Sequence, residues 1–220
     1  MYKKPRVDVS IDCGAYEHMI NNVRFKAPLE IGVEIAVFML LFGLLEESEF
    51  EVVDVNTMRK TYAEGYADPK DGGIPFGAVP DLVIVEKDFV YDNQPNDNRP
   101  NDNHAVGFVE VKSIATNDMK LDTGEMESHK ANTNHLIWTN GLKWYYFNRV
   151  SQEAMEKPAW SVDLAVDKKG DNGRIRNLAS DKKGDNGRIR IDERKYGELL
   201  YRLNQINWKQ NDGDAVRLDP

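Results

Sequence analysis

Apolar positions along the chain fall into one long helical stretch and several short runs rich in Val and Ile. Residues 29–46 are almost entirely apolar and follow Pro28, which predicts a buried helix. The runs at 50–55, 81–86 and 105–114 predict strands, and the last two are expected to pair as a long hairpin. The first half of the chain is therefore expected to place a helix beside a sheet.

The second half continues this pattern. Two strand-like runs flank Asn140-Gly141, the strongest short hairpin signal in the chain. Residues 159–166 predict a further strand, and 192–208 repeat apolar positions about every 3.6 residues, which predicts a closing helix. The polar stretch at 117–133 is expected to be partly helical. This order of elements predicts an α/β or α+β layered fold.

Composition limits the classes of function. A chain of 220 residues with 40% hydrophobic residues is expected to form one domain, residues 1–220. A net charge of −8 argues against general coating of duplex DNA but allows a nucleic-acid enzyme with a local basic cleft. The longest apolar segment contains Glu34 and is too short to span a bilayer, and no signal-peptide pattern is present. With a single cysteine, Cys13, these features predict a cytoplasmic protein without a membrane partner.

Two regions are interpreted as loop insertions in this domain, near 92–104 and 167–190. In the second region the decapeptide DKKGDNGRIR begins at position 167 and again at position 181. Asn, Asp and Gly favour turns, so these regions are expected to be surface loops. An alternative is a calcium site at Asp171 or Asp185, although the repeat lacks the alternating oxygen ligands and the distal Glu of an EF-hand.

Charged residues occur at particular places in two of the apolar strands. Asp81 opens one strand, and Glu110 and Lys112 end the next. Residues two apart on a strand share a face, so Glu110 and Lys112 point the same way, and strand pairing brings Asp81 near them. Two carboxylates in a partly buried site repel each other, and a divalent cation such as Mg²⁺ removes that cost. A nearby lysine could then activate water or stabilise a phosphate.

The combination of Pro80-Asp81 with Glu110-Val111-Lys112 resembles the PD-(D/E)xK nuclease superfamily. The resemblance implies a restriction-endonuclease-like mixed central sheet flanked by helices. It also implies a Mg²⁺-dependent endonuclease, with Mn²⁺ as a substitute, that hydrolyses nucleic acid, DNA above all, in restriction or repair. The implied roles are metal ligation by the aspartate and the glutamate, and assistance to the attacking water by the lysine.

The resemblance extends to two further features. Many members carry a metal-binding Glu on an N-terminal helix, and Glu34 is the candidate here, with Glu30 as the alternate. The segment LIWTNGLKWYYF at 136–147 is similar to one in the N-terminal nuclease domain of type I restriction enzyme R subunits. Those relatives often carry a Gln on the helix before this segment, whereas this chain has Glu125, Glu127 and His129 in that region. No P-loop occurs, so a motor or specificity subunit would be another chain.

Plainer interpretations remain open at this stage. Asp81 could cap a turn, Glu110 and Lys112 could form a solvent-exposed pair on an edge strand, and Glu34 could lie on a narrow exposed stripe. A separate alternative, favoured by the missing Gln and the acidic net charge, is a catalytically inactive nuclease-fold module that binds nucleic acid or acts as a scaffold.

The histidines and aromatic residues point to structural roles. The spacing of the four histidines matches no metal-site pattern and favours a surface position for His129 and His135, although both could approach the cleft. The aromatic residues at 138–147 are expected to pack in the core rather than stack on bases.

Overall fold

The computed structural model describes residues 11–26, 29–55, 79–89, 105–114, 119, 124–149, 156–166 and 188–209. The predicted insertion at 92–104 lies outside these residues, as does the one at 167–190 up to residue 187. The calcium alternative at Asp171 or Asp185 therefore also lies outside them.

Four helices and six strands make up the described residues. The helices are α1 Cys13–Lys26, α2 Glu30–Leu45, α3 Gly124–Asn132 and α4 Glu193–Asn204. The strands are β1 Phe50–Asp54, β2 Leu82–Glu86, β3 Gly107–Val111, β4 His135–Thr139, β5 Lys143–Asn148 and β6 Trp160–Asp163. None of these helices is long and apolar enough to cross a membrane.

The six strands form one mixed sheet in the order β1 to β6. Strands β3 and β4 are parallel and all other neighbours are antiparallel, including the predicted pair β2–β3 and the hairpin β4–β5. A parallel pair needs a crossover connection, and α3 lies in the one between β3 and β4. The predicted fold class is confirmed as an α+β, restriction-endonuclease-like mixed sheet flanked by helices.

The two faces of the sheet carry separate apolar clusters. On one face, residues of α1, α2 and α4 pack against alternate strand residues, with Leu40, Val109 and Leu199 fully or almost fully buried. On the other face, Met126 of α3 packs with Phe108 and their strand neighbours. The end of β3 thus lies between α2 on one side of the sheet and α3 on the other.

Helix α2 is apolar on both sides, and the glutamate inside it, Glu34, lies on the buried one. Glu34 is 2% exposed, whereas Ile35, Met39 and Phe42 are each about half exposed. The exposed stripe of this helix is therefore apolar, and the alternative that placed Glu34 on an exposed stripe is wrong.

Two other features differ from the sequence-based expectations. Helix α1 was not predicted, because only Tyr16 and Ile20 of its residues are buried and the apolar pattern is weak. The closing helix ends at Asn204, and Trp208 packs in the core from the turn that follows. Its N-cap is Asp192, whose side chain accepts hydrogen bonds from the backbone N–H groups of Arg194 and Lys195.

Candidate metal and catalytic site

Asp81 lies directly before β2 and bonds across the sheet to the end of β3. Its Oδ2 accepts a hydrogen bond of 2.6 Å from the backbone N–H of Val111, and its backbone carbonyl accepts one from Val55. The pairing of Leu82 with Val109 produces this position, since it aligns the start of β2 with the end of β3. The side chain is 7% exposed, so its carboxyl group is largely shielded from water.

Glu110 is the buried carboxylate of β3. This strand lies between β2 and β4, and Glu110 is 2% exposed. The alternative of a solvent-exposed pair on an edge strand is therefore wrong.

Lys112 follows the end of β3, and its ammonium lies between two carboxylates. Its Nζ is 2.5 Å from Glu110 Oε1 and 2.7 Å from Glu125 Oε2, and it stands 5.0 Å from the ring centre of Trp138. Burial lowers the pKa of Lys112, but Glu110 and Glu125 outweigh burial and hold that pKa above its ordinary value. Lys112 is therefore a charged ammonium at neutral pH.

Helix α3 contributes two groups that the sequence analysis did not assign to the site. Glu125 and His129 are four residues apart, so they share a helix face. His129 Nε2 is 2.9 Å from Glu110 Oε2, and the ring is fully buried, edge-on to Phe108. The predicted surface position of His129 is wrong. The Glu-x-x-x-His spacing was the available signal for this pair.

His135 is also buried, at 1% exposed, so its predicted surface position is wrong as well. Its Nδ1 is 2.6 Å from the hydroxyl of Tyr146 on the paired strand β5. The ring also packs against Trp208. His135 is thus a core residue joined to the β4–β5 hairpin, and it takes no part in the carboxylate cluster.

The two candidate glutamates of α2 reach the same end of the sheet in different ways. Glu34 is buried, and its charge contributes to the raised pKa of Asp81. Glu30 is exposed, and its Oε2 accepts a hydrogen bond of 3.0 Å from the backbone N–H of Ser113. Glu34 is therefore a buried acidic residue whose charge acts on Asp81, whereas Glu30 binds the chain just beyond Lys112.

The electrostatics of the site show an excess of negative charge. Burial raises the pKa of Asp81 to about 8, assisted by the charges of Glu110 and Glu34 and opposed by the Val111 N–H and by Lys112. Without a metal, Asp81 therefore holds a proton at neutral pH. The Lys112 ammonium is shared between Glu110 and Glu125, and the closeness of Asp81 to Glu110 costs free energy unless a proton or a cation neutralises one of the two carboxylates.

One group of side chains could hold a divalent cation. Among the described residues, ligand atoms of Glu110, Glu125 and His129 lie within 4.8 Å of one another. Carboxylate oxygens are the hard ligands that Mg²⁺ prefers. An imidazole nitrogen beside two carboxylates suits a transition-metal ion such as Mn²⁺ better than Mg²⁺.

The turn after β4 borders the site and is held by its own hydrogen bonds. Thr139 Oγ1 bonds to Lys143 O and Gly141 N, and Asn140 Oδ1 accepts from the N–H groups of Leu142 and Lys143. Gly141 has φ 81°, and a Cβ there would lie 2.8 Å from Ile20 Cδ1, so a side chain is excluded. The Thr-Asn-Gly segment is thus a structural turn.

The aromatic residues of this hairpin belong to the core, as predicted. Trp138, Trp144 and Phe147 are each at most 1% exposed. They lie on strands β4 and β5 in the middle of the sheet, so they are not available to stack on bases.

No known family model and no curated protein matches the chain. Among solved structures, the chain is similar to one in the cryo-EM structure of a DrdV–DNA complex. The two share 15% sequence identity at a TM-score of 0.40, over 67% of this chain and 12% of the other. A similarity this low carries no argument about function, which rests on the geometry of the site.

Proposed function

We propose that this chain is a divalent-cation-dependent nuclease that hydrolyses phosphodiester bonds of nucleic acid. The observation that carries the proposal is the buried group formed by Asp81, Glu110 and Lys112, in which two carboxyl groups and an ammonium meet at one end of the sheet. A cluster with excess negative charge and a neighbouring lysine suits a reaction on a phosphate bound through a metal.

Each side chain has a distinct role in this proposal. Asp81 and Glu110 hold Mg²⁺, with Glu34 completing the ligand set and Mn²⁺ able to substitute. When bound, the cation supplies positive charge that stabilises the phosphate in the transition state. Lys112, kept protonated by its carboxylate neighbours, donates hydrogen bonds to the attacking water or to the phosphate oxygens. The Val111 N–H orients the Asp81 carboxylate.

The finer parts of the proposal rest on the sequence resemblance. These are DNA as the preferred substrate, a setting in restriction or repair, a cytoplasmic location, and a motor or specificity subunit on another chain.

A second function has its own supporting observation. The Lys112 ammonium already lies between Glu110 and Glu125, so it partly neutralises the site without a metal. If that arrangement persists in the presence of metal, the chain would be an inactive nuclease-fold module that binds nucleic acid.

The test is cleavage of plasmid and single-stranded DNA in Mg²⁺, Mn²⁺ or EDTA. We expect metal-dependent cleavage by the wild type and a loss of roughly 100-fold or more in Asp81→Asn and Lys112→Met. Glu127→Gln, which changes an exposed carboxylate of α3, is the matched control and should cleave normally.

If both Asp81→Asn and Lys112→Met still cleave DNA at the wild-type rate, the reaction takes place at another site or is due to a contaminant. DNA binding by the wild type without cleavage, in either metal, would favour the inactive module.

A further inference from the structure

Helix α3 has two faces with different surroundings. Glu125 and His129 point at the buried charges of the site. Glu127 points outward with a side chain that is 63% exposed, and it pairs with Lys130 at 2.9 Å. The chain therefore offers a matched carboxylate on the same helix, with an ion pair of its own, that does not contact the site residues.

Both carboxylate oxygens of Glu110 are held by different side chains. Oε1 accepts from Lys112 and Oε2 contacts His129 Nε2. The imidazole ring is fully buried against Phe108, so it cannot turn away without disturbing the core. A partner held this rigidly restricts the orientation of a metal-binding carboxylate, and loss of such a partner typically costs on the order of 10- to 100-fold in metal affinity.

Glu125 acts on the other catalytic group. A cation bound to Glu110 competes with the Lys112 ammonium for Oε1, because both are positively charged. Glu125 Oε2, at 2.7 Å from Lys112 Nζ, then remains as the lysine's carboxylate partner. The lysine would thus stay beside the metal, with its ammonium over Trp138, rather than extend into solvent.

We infer that one face of α3 positions both catalytic side chains, His129 through Glu110 and Glu125 through Lys112. This inference rests on the proposed function, in which Glu110 is a metal ligand and Lys112 acts on water or phosphate. His129 then determines metal affinity, and Glu125 determines the rate once metal is bound.

The role proposed for His129 is tested by calorimetric titration of the metal-free chain with Mn²⁺ or Mg²⁺. This measurement does not depend on enzymatic activity. His129→Gln keeps a donor for Glu110, whereas His129→Leu fills the space without one. We expect His129→Leu to weaken metal binding about tenfold or more, and His129→Gln to stay within about threefold of the wild type. Thermal unfolding of both variants reports whether the core still packs.

The role proposed for Glu125 is tested by the cleavage rate at saturating Mn²⁺. Glu125→Ala should lower kcat about tenfold or more while metal affinity stays within about threefold of the wild type. Glu125→Gln keeps an acceptor for Lys112 and should recover most of the rate. Glu127→Gln is the control in both the metal titration and the cleavage assay. A variant that only destabilises α3 should lower metal affinity and cleavage rate together. Separate effects on the two quantities are therefore not expected from destabilisation alone.

The outcomes separate the inference from the proposed function. If Glu110→Ala abolishes metal binding but His129→Leu and Glu125→Ala leave affinity and rate unchanged, the inference is overturned and the function stands. If His129→Gln is as impaired as His129→Leu, the hydrogen bond to Glu110 is not what the imidazole supplies, because it then acts by packing or as a direct metal ligand, and the role proposed for His129 is overturned. If the wild type binds neither Mn²⁺ nor Mg²⁺, both fall, because Glu110 then has no metal to ligate.

Discussion

The end of β3 and the turn between β4 and β5 are neighbours that both bury polar side chains. They are linked by a hydrogen bond of 2.7 Å from the Lys112 N–H to Thr139 O. In the turn, Thr139 and Asn140 pair with main-chain groups of the same turn. At the end of β3, by contrast, the carboxyl groups of Asp81 and Glu110 have hydrogen-bond partners but are also close enough for the charge of Glu110 to raise the pKa of Asp81.

This difference indicates what each region is for. Buried polar groups that are paired stabilise a unique conformation, whereas like charges brought together destabilise it. The turn is organised for stability. The end of β3 carries an excess of negative charge that a bound cation would remove, a combination typical of functional sites. Substitutions at the end of β3 should therefore reduce function more than stability. Substitutions in the turn should reduce stability more than function.

The largest effect is expected from Glu110→Gln. Loss of this ligand should reduce metal-dependent cleavage by about 100- to 1,000-fold. In EDTA, however, the free energy of unfolding should fall by no more than about 2 kcal/mol, because the Gln amide keeps a hydrogen-bonding oxygen and Glu125 remains as the carboxylate partner of Lys112. Plasmid cleavage and urea unfolding of the same preparation measure both quantities. A much lower free energy of unfolding in this variant would show that Glu110 is a structural residue.

The next effect concerns pH. Asp81 has a folded-state pKa of about 8, above its ordinary value of 3.8, so the folded chain holds a proton there that the unfolded chain releases. The resulting stability is fully present below about pH 4 and is lost as the pH rises through about 8, on the order of a few kcal/mol. Urea unfolding in EDTA at a series of pH values should show this decline.

Two comparisons sharpen that measurement. Asp81→Asn should flatten the decline, and Glu127→Gln, at an exposed position, should leave it in place. Added Mg²⁺ at pH 8 should restore stability to the wild type and not to Asp81→Asn. A flat wild-type profile in EDTA would mean that Asp81 is ionised without a metal and that the charges at the end of β3 are already balanced.

A smaller effect, confined to stability, is expected in the turn. Asn140→Ala removes an acceptor for the N–H groups of Leu142 and Lys143 and should destabilise the chain by about 2 kcal/mol. Cleavage per folded molecule should remain close to wild type. Asn148→Ala, a half-buried position at the end of β5, serves as the control. Loss of cleavage in fully folded Asn140→Ala would show that the turn also positions the site.

The smallest effect is expected from deleting residues 167–180. The deletion joins Val166 directly to the second DKKGDNGRIR copy. The described contacts of that copy remain, since the Val166 N–H bonds to Arg190 O and Asn21 bonds to the backbone of Ile189. A shorter connection between the same anchors should change stability by less than about 1 kcal/mol. Urea unfolding and cleavage should both match the full chain, and a large loss in either would assign the first copy a role in one of the two regions.

The strands and the long helix were predictable because their signals are local. A run of β-branched residues limits a segment to a strand wherever it lies, and Asn140-Gly141 favours a tight turn because Gly141 adopts a positive φ. The same local reasoning placed Glu110 and Lys112 two residues apart at the end of β3 and placed Asp81 beside the start of β2. Helix α1 carries too few apolar residues for such a signal, so its formation depends on contacts with the rest of the fold.

The sequence by itself therefore determined the main elements and the chain positions of the charged residues. Only the tertiary structure decided which of those charges meet. Helical spacing shows that Glu125 and His129 share a face, and that Glu34 shares one with apolar neighbours, but it does not show what that face contacts. The contacts of His129 with Glu110 and of Glu125 with Lys112 arise from the packing of α3 beside β3, between residues that local propensity cannot relate.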